Sequence, residues 1–585
     1  MSEFARRIES FLDEFFLLDP LAATAAGEHS HDDRWPDLSE AGEAAQLAFV
    51  ERWTAELEAM GDAALRPDDR VDRDLLLLEL SARRFAIVDL REGSWDALSW
   101  VYLLGGGIVP LLSRDFAPLG VRLASVSGRL ESVPAVLAEA RRRLVGHGDR
   151  PVSRLHVETA LRQLPGVVEL VDDAVREAEA HEGEPDVMAV VGRLGKAADL
   201  ARSALHDFGR HLRDVVLPAA EGEGRLGREL FWARLHHTIG AEHPNPDEIL
   251  AQAEREYDAV RGELVRLARD QWPAWGTGEP MPVEDGALVR GVLDAIAADH
   301  PLPEQVLDFC SAELERIEAF CRERGLIGLA DEPLEIRWTP VFQRSAGGAM
   351  LDSPGPLDRD QKAFFSITPI PDDWTPKQAE SYLREDNARM LRLLTIHEAV
   401  PGHYLQGVYA NRCPSLPRAV FWSGVFVEGW AVYVTQVMID AGFAADDAAL
   451  LLTHWKFYLR SVTNAIIDIR IHTTGMTEDE AVSFMVEGGF QEEAEARAKY
   501  NRARLSSTQL STYFVGSTQL WELERERRVG LAVAAGDPRA EAIAAPGGLP
   551  GGFGETAGFR YRDHLESVIG QGAPPIPLLR RLILA

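Results

Sequence analysis

Two histidines with a glutamate beside the first form the most chemically informative group in this sequence. His397 and Glu398 are adjacent, and His403 lies six residues after the first histidine. Imidazoles bind Zn²⁺ as neutral donors, and a neighbouring carboxylate can act as general base towards a water that the metal activates. The group therefore predicts a zinc-dependent hydrolase with His397 and His403 as metal ligands and Glu398 as the base.

The spacing of the two histidines departs from the usual H-E-x-x-H motif, in which they lie one helical turn apart. Six residues at about 100° each would rotate His403 roughly 120° away from His397 on a straight helix. Pro401 and Gly402 fill the insertion. Because proline lacks a backbone donor and glycine permits unusual backbone angles, we expect a kink or bulge between Ala399 and His403 that returns the second ring to the first. The alternative is a core histidine followed by a helix-capping histidine.

Glu428 is the predicted third metal ligand. It lies at the centre of the apolar segment 419–439, which is long enough to cross a bilayer but has almost no flanking basic residues. We therefore expect a buried helix of a soluble protein. A buried carboxylate is costly unless it is protonated, paired with a cation or bound to metal. The alternative to the ligand role is an ion pair with an arginine such as Arg460.

Five segments of the sequence carry a family resemblance: DPLAATAAGEHSHDDRWPDLS (19–39), HEAVPGHYLQ (397–406), VEGWA (427–431), DIRIH (468–472) and TQLSTYFVG (508–516). They resemble the bacterial family called domain of unknown function 885. Members of that family resemble helical gluzincin-type zinc peptidases of the carboxypeptidase Taq kind, which implies a helical shell around a deep central cleft. Two departures from the family's pattern, at Asn464 and at the start of the last segment, concern substrate binding and leave the metal ligands untouched.

The resemblance also points to donors for a developing oxyanion. Tyr513 and His472 lie in matching segments, so we expect either to have this catalytic role. The alternative for each is a packing role in the core. Asp468 lies one helical turn before His472 and is expected to orient it; the alternative is that Asp468 hydrogen-bonds to a metal-bound histidine. Arg460 and Arg470 are weaker candidates for binding a substrate carboxylate, because most helical arginines belong to solvated faces.

The elements that must position these groups are predicted to be helices. Apolar residues recur at helical spacing in 246–272, in 302–325 and from 375 to about 527. Residues 334–342 and 363–371 are β-branched and aromatic and bounded by proline, which predicts two or three strands of a small sheet. An exposed edge of the 363–371 strand would hydrogen-bond an extended peptide substrate; the alternative is a small covering sheet.

The fold class is therefore mostly α with a minor β-sheet, and the family resemblance implies a large helical zincin-like fold. We divide the chain into an N-terminal helical region, 1–332, and a metal-site region, 333–585. A Gly/Pro-rich loop at 545–558 precedes a final helical stretch.

Composition limits the possible partners and location. The formal charge of −32 repels phosphate backbones and anionic lipid, so we expect neither nucleic acid nor a membrane as partner. The three cysteines, Cys310, Cys321 and Cys413, form no recognisable disulfide framework, and the first 16 residues do not read as a signal peptide. Both features favour a reducing compartment, and we expect a cytoplasmic location.

The predicted function is hydrolysis of peptide bonds, with a peptide or small amide as substrate. One alternative keeps the metal site but hydrolyses a small amide or ester metabolite. Another is a noncatalytic helical binding protein with a degenerate metal site. Structural zinc sites normally have four protein ligands, and only three are evident here, which favours an open, catalytic site. Mn²⁺, Co²⁺ or Fe²⁺ would also suit two imidazoles and a carboxylate.

Overall fold

A computed structural model describes residues 3–148, 150–240, 245–276, 278, 280–340, 344, 348–358, 361–371, 374–545, 549–552, 554–556 and 558–584. The chain forms two compact units. The first consists of Met1–Arg225, Pro340–Ala346 and Pro354–Lys362, and the second of Leu226–Thr339, Gly347–Ser353 and Ala363–Ala585. The division that we placed between residues 332 and 333 followed the change from helical to strand-like sequence, and it does not coincide with this boundary.

The described residues of the first unit form helices joined by irregular segments, with two isolated β-bridges. Local signals explain where they begin and end: Asp19 caps the second helix by accepting from the Ala22 N–H at 3.1 Å, and Gly27 ends that helix with a φ of 88°. The helices are α1 (Glu3–Leu18), α2 (Pro20–Ala26), α3 (Glu40–Glu58), α4 (Pro67–Phe85), α5 (Ala97–Ser113), α6 (Leu119–Arg143), α7 (Arg154–Ala180), α8 (Pro185–His211) and α9 (Leu217–Ala219).

The second unit contains the remaining helices and the strands. The helices predicted over 246–272 and 302–325 are present as α11 and α13, and the latter ends at Gly325, which has a φ of 58°. The helices are α10 (Arg228–Ile239), α11 (Pro246–Trp275), α12 (Asp285–Ala297), α13 (Val306–Arg324), α14 (Pro376–Glu385), α15 (Ala388–Glu398), α16 (His403–Asn411), α17 (Leu416–Val420), α18 (Gly424–Asp440), α19 (Ala448–Thr473), α20 (Glu478–Ser483), α21 (Glu493–Leu505), α22 (Gln509–Ala535), α23 (Ala540–Ala544), α24 (Tyr561–Ile569) and α25 (Ile576–Ile583).

A three-stranded sheet lies in the second unit. Its strands are β1 (Leu334–Trp338), β2 (Ala349–Asp352) and β3 (Ala363–Ile367), in the order β1-β3-β2. β3 pairs in parallel with β1 and antiparallel with β2. The strand expected at 363–371 is thus the central one, so it has no exposed edge over the paired residues. Of the strand expected at 334–342, residues 341 and 342 lie outside the described part of the chain.

The predicted fold class, mostly α with a minor sheet, is confirmed. The apolar segment predicted as one buried helix over 419–439 is divided between α17 and α18, and most of the α18 side chains are buried. Among the described residues no single helix combines the length and hydropathy needed to span a bilayer, although the bent pair Pro67–Ser94 and Ala97–Ser113 meets both criteria together.

Candidate metal centre

The break between α15 and α16 brings the two histidines together. α15 ends at Glu398, α16 begins at His403, and the Val400–Pro401 peptide bond between them is cis. The interruption predicted from Pro401 and Gly402 is therefore present. Gly402 is required sterically, because a Cβ at this position would lie 1.9 Å from the His397 carbonyl oxygen. The chain thus folds back on the last turn of α15.

The consequence of this turn is a compact group of donors. The His397 and His403 ring centroids lie 4.8 Å apart with the ring planes at 83°. One ligand atom from each of His397, Glu398 and His403 lies within 4.8 Å of the others. His397 and Glu398 are buried, and His403 is largely so. A straight helix would have separated these side chains, so the turn is what creates the site.

Glu428 reaches the same group from α18. Its Oε2 lies 3.6 Å from Nε2 of His403. Two donors at 2.0–2.2 Å from one tetrahedral zinc ion lie roughly 3.3–3.6 Å apart, so this separation fits a shared metal ion. The alternative partner, Arg460, instead pairs with Glu385 at 3.3 Å and with Glu495. Glu428 therefore contacts His403 of the histidine pair and not Arg460.

Burial and mutual contact shift the pKa values of the four ionisable side chains in this group. Burial, together with the charge of the neighbouring His403, lowers the pKa of His397 to about 3. Burial also raises the pKa of Glu398 to about 7, helped by the like charge of Glu428. Burial opposes the charged forms of His403 and Glu428, but their mutual contact outweighs it, raising the pKa of His403 and lowering that of Glu428. The contact with Glu428 therefore favours the protonated form of His403.

Tyr513 lies beside this group on α22. α18 and α22 approach closely at Gly429 and Gly516, where a Cβ on Gly429 would lie 2.3 Å from the Gly516 carbonyl carbon. Burial, with the charge of Glu428, raises the pKa of Tyr513 to about 12, so the phenol stays protonated. Its oxygen accepts from Arg502 NH2 at 3.2 Å and from Gln509 Nε2 at 3.1 Å. The hydroxyl proton is then available for donation to a bound substrate.

His472 has different contacts. Its Nδ1 accepts from the Leu226 N–H at 3.1 Å, and its Nε2 donates to the Ala503 carbonyl at 2.9 Å. The ring also stacks on Phe231, with centroids 5.0 Å apart. Both ring nitrogens therefore serve the backbone, and the oxyanion role predicted for His472 finds no support in these contacts.

Asp468 positions a helix rather than His472. The shortest ion-pair separation between the two side chains is 4.0 Å, whereas the Asp468 carboxylate accepts from the Ser511 hydroxyl at 2.7 Å, the Ser511 N–H at 3.1 Å and the Thr508 N–H at 3.3 Å. Two of these three donors are backbone N–H groups at the start of α22, so Asp468 caps the helix that carries Tyr513. Arg470, an expected carboxylate anchor, pairs with Glu254 at 2.7 Å.

Three contributors to the site were missed in the sequence. The Leu351 N–H in β2 hydrogen-bonds to the Glu398 carboxylate, and Arg502 and Gln509 hold the Tyr513 hydroxyl. Gln509 precedes Tyr513 by one helical turn, a spacing that could have indicated it. Neither Leu351 nor Arg502 carries a comparable signal, because their positions depend on tertiary contacts.

Comparisons with known proteins add the following findings. A family profile described as "Bacterial protein of unknown function (DUF885)" matches residues 20–583. No curated protein matches the chain in sequence. Two solved structures are similar, each described as a "putative lipoprotein". The one from Shewanella oneidensis, of unknown function, is 29% identical with a TM-score of 0.81, covering 100% of both chains. The one from Colwellia psychrerythraea is 14% identical with a TM-score of 0.75, covering 97% of this chain and 96% of that one, and shows the fold alone.

The cytoplasmic location expected from the sequence is wrong in the light of these neighbours. Both are described as lipoproteins, and a covalently attached lipid anchors a protein to a membrane surface. Our expectation rested largely on the low cysteine count, and a large helical core does not need disulfides in any compartment.

Proposed function

Because the chain belongs to the bacterial family DUF885, whose description assigns no reaction, we propose a function from its site: the protein is a zinc-dependent hydrolase that cleaves peptide bonds. The observation that carries the proposal is the convergence of donors from His397, Glu398 and His403 within 4.8 Å, with Glu428 3.6 Å from His403. The likeness to carboxypeptidase Taq-type peptidases rests on sequence motifs alone and adds only weak support.

We assign His397, His403 and Glu428 as the ligands and Glu398 as the general base. The donor set fits zinc, since two neutral imidazoles and a carboxylate leave a coordination position open for catalysis. The buried His397 ring favours its neutral, metal-binding form. Glu398 is the carboxylate that directly follows the first histidine, as in H-E-x-x-H hydrolases, where this residue serves as the base.

We assign each residue of the site a separate role in hydrolysis of the amide bond. A divalent ion in this site would supply Lewis acidity to the carbonyl of the scissile bond. Glu398 takes a proton from the attacking water and delivers it to the leaving nitrogen. The Leu351 N–H orients the Glu398 carboxylate during these transfers. Tyr513 donates its hydroxyl proton in a hydrogen bond to the carbonyl oxygen as negative charge develops there.

The β-sheet supports a peptide as the substrate. β2 is an edge strand, and its Leu351 N–H is directed at Glu398 rather than at β3. Because alternate residues of a strand direct their backbone groups to the same side, the groups of Ala349 also face away from β3. An extended peptide can pair with such an edge. We therefore propose that β2, rather than the 363–371 strand, hydrogen-bonds an extended peptide substrate. The second candidate, a small amide or ester as substrate, makes no use of this edge.

Digestion of a mixed peptide library, followed by mass spectrometry, tests the proposal. The zinc-loaded protein should cleave peptide bonds, and the Glu398→Gln variant should not. A protein that hydrolyses only small amide or ester substrates would replace the peptidase proposal with the metabolite alternative. A zinc-loaded protein that cleaves neither class would support a noncatalytic binding protein.

A further inference from the structure

Arg502 lies next to the proposed site, and none of the described carboxylates pairs with it. It is an exposed residue near the end of α21. Its NH2 group donates to Gln509 Oε1 at 2.9 Å and to Tyr513 Oη at 3.2 Å, and Gln509 Nε2 donates to the same Tyr513 oxygen at 3.1 Å. The three side chains form a closed triangle, which fixes the guanidinium beside the proposed oxyanion donor.

Most of the hydrogen-bonding capacity of Arg502 is unused. A guanidinium has five N–H donors, and only those of NH2 have acceptors among the residues that the structure describes. No ion pair recorded for those residues includes Arg502. Arg497, on the same helix, binds Glu478 at 2.9 Å and Glu493 at 2.9 Å.

Tyr513 connects Arg502 to the candidate metal centre. The Tyr513 hydroxyl accepts from Arg502 at 3.2 Å, and Tyr513 lies on the α22 face that packs against α18 near Glu428. A substrate bound with its carbonyl oxygen at Tyr513 would therefore have its neighbouring groups within the field of a guanidinium.

We propose that Arg502 binds a free α-carboxylate located one residue beyond the scissile amide bond. This inference rests on the proposed function and names its substrate class. Guanidinium is the side chain best suited to a carboxylate, through charge-assisted hydrogen bonds. Two kinds of molecule share this chemistry: a peptide with a free C-terminus and an N-acyl amino acid. In both, water adds its oxygen to the carbonyl carbon, the C–N bond breaks, and the amino acid leaves with the proton that Glu398 transfers.

Matched pairs of substrates test the proposal. One arm compares N-acetylated peptides that end in a free carboxylate with the same peptides ending in a carboxamide. The other compares N-acyl amino acids with their amides, and the arm that is hydrolysed identifies the source of the carboxylate. We expect kcat/KM for the acid to exceed that for the amide by roughly 10–100-fold, the range of a hydrogen bond to a charged group. In Arg502→Met this ratio should fall close to one, and Arg502→Lys should restore part of it.

Arg497→Met is the control, because it removes a guanidinium from the same helix without touching Tyr513. Its acid-to-amide ratio should match wild type. A wild-type ratio near one, or an unchanged ratio in Arg502→Met, would overturn the proposal even if hydrolysis itself is observed. If the zinc-loaded protein hydrolyses nothing, the proposed function fails, and calorimetry with an N-acetyl amino acid and its amide decides the inference. Binding of the acid alone, lost in Arg502→Met, supports it; equal binding of both contradicts it.

Discussion

Nε2 of His403 and Oε2 of Glu428 lie 3.6 Å apart, although 25 residues and the α17 segment separate them in the chain. His403 is positioned by the turn after α15, and Glu428 by the close packing of α18 on α22 at Gly429. Their pKa values shift in opposite directions because each stabilises the charged form of the other. Their separation suits two donors of one metal ion, and the proposed three-ligand site is the basis of the predictions that follow.

The Glu398→Gln variant should separate catalysis from metal binding. An amide in this position cannot accept the proton of the attacking water, so turnover should fall by roughly 10²–10⁴-fold. The zinc content should stay near that of wild type, because the change leaves all three assigned ligands in place. Elemental analysis alongside a peptide cleavage assay measures both quantities. Loss of zinc from Glu398→Gln would make Glu398 a ligand and reverse its assigned role.

Gly402→Ala should damage the site through the backbone. The new Cβ would lie 1.9 Å from the His397 carbonyl oxygen, so the turn between the two histidines has to open. We expect lower zinc affinity and a loss of about 1–3 kcal/mol in the free energy of unfolding, as for other overpacked positions. Gly424→Ala is the matched control, since no atom lies within 4 Å of a Cβ there. Equal zinc affinity in both variants would show that the turn tolerates a side chain.

His29 in the first unit should make stability depend on pH. Its Nδ1 lies 2.8 Å from Asp32 and its Nε2 3.4 Å from Asp358. Burial opposes the charged ring, but these carboxylates outweigh it and raise the pKa of His29 to about 9 from 6.5. The stabilisation is therefore complete below pH 6.5 and lost as the pH rises through 9.

Urea unfolding of His29→Gln at pH 6 and pH 9.5 measures this effect. The midpoint of the variant should lie below that of wild type at pH 6, and the gap should narrow at pH 9.5. His147→Gln, at an exposed histidine of the same unit, should show no such gap. A gap of the same size at both pH values would mean that His29 contributes by packing against Phe116 rather than by charge.

The three cysteines should differ in reactivity. No disulfide joins them in the described part of the chain, and Cys310 and Cys321 are buried, whereas Cys413 is partly exposed. Burial raises the pKa of Cys310 and of Cys321 to about 12, so little thiolate is present at neutral pH. A thiol reagent should modify Cys413 first in the native protein and all three residues after denaturation. Fewer than three thiols in denatured, unreduced protein would contradict the structure.

Local chemistry made part of the site predictable. Pro401 and Gly402 predict a break in the helix because neither fits a regular helical turn at that position. The break is present between α15 and α16. Glu428 stands out because an isolated carboxylate in an apolar segment needs a partner, and it contacts His403. The helical class and the small sheet follow from periodicity in the same way.

The rest of the site depends on contacts between distant segments. His472 is chemically suited to catalysis, but the backbone groups of Leu226 and Ala503 occupy its nitrogens, and no local pattern reveals this. The 363–371 segment looks like an edge strand until β1 and β2 are seen on either side of it. In the sequence, Arg502 resembles any exposed helical arginine. Only the fold shows that none of the described carboxylates pairs with it.

The metal content of Glu428→Gln tests the central claim most directly. The variant keeps the shape of the side chain but offers a neutral amide, a poor zinc donor, so bound zinc should fall far below the one ion per chain expected for reconstituted wild type. Glu398→Gln, the same change on the neighbouring carboxylate, should retain its zinc, and added metal should restore part of the activity of Glu428→Gln. Zinc in Glu428→Gln equal to that in wild type would contradict the three-ligand site.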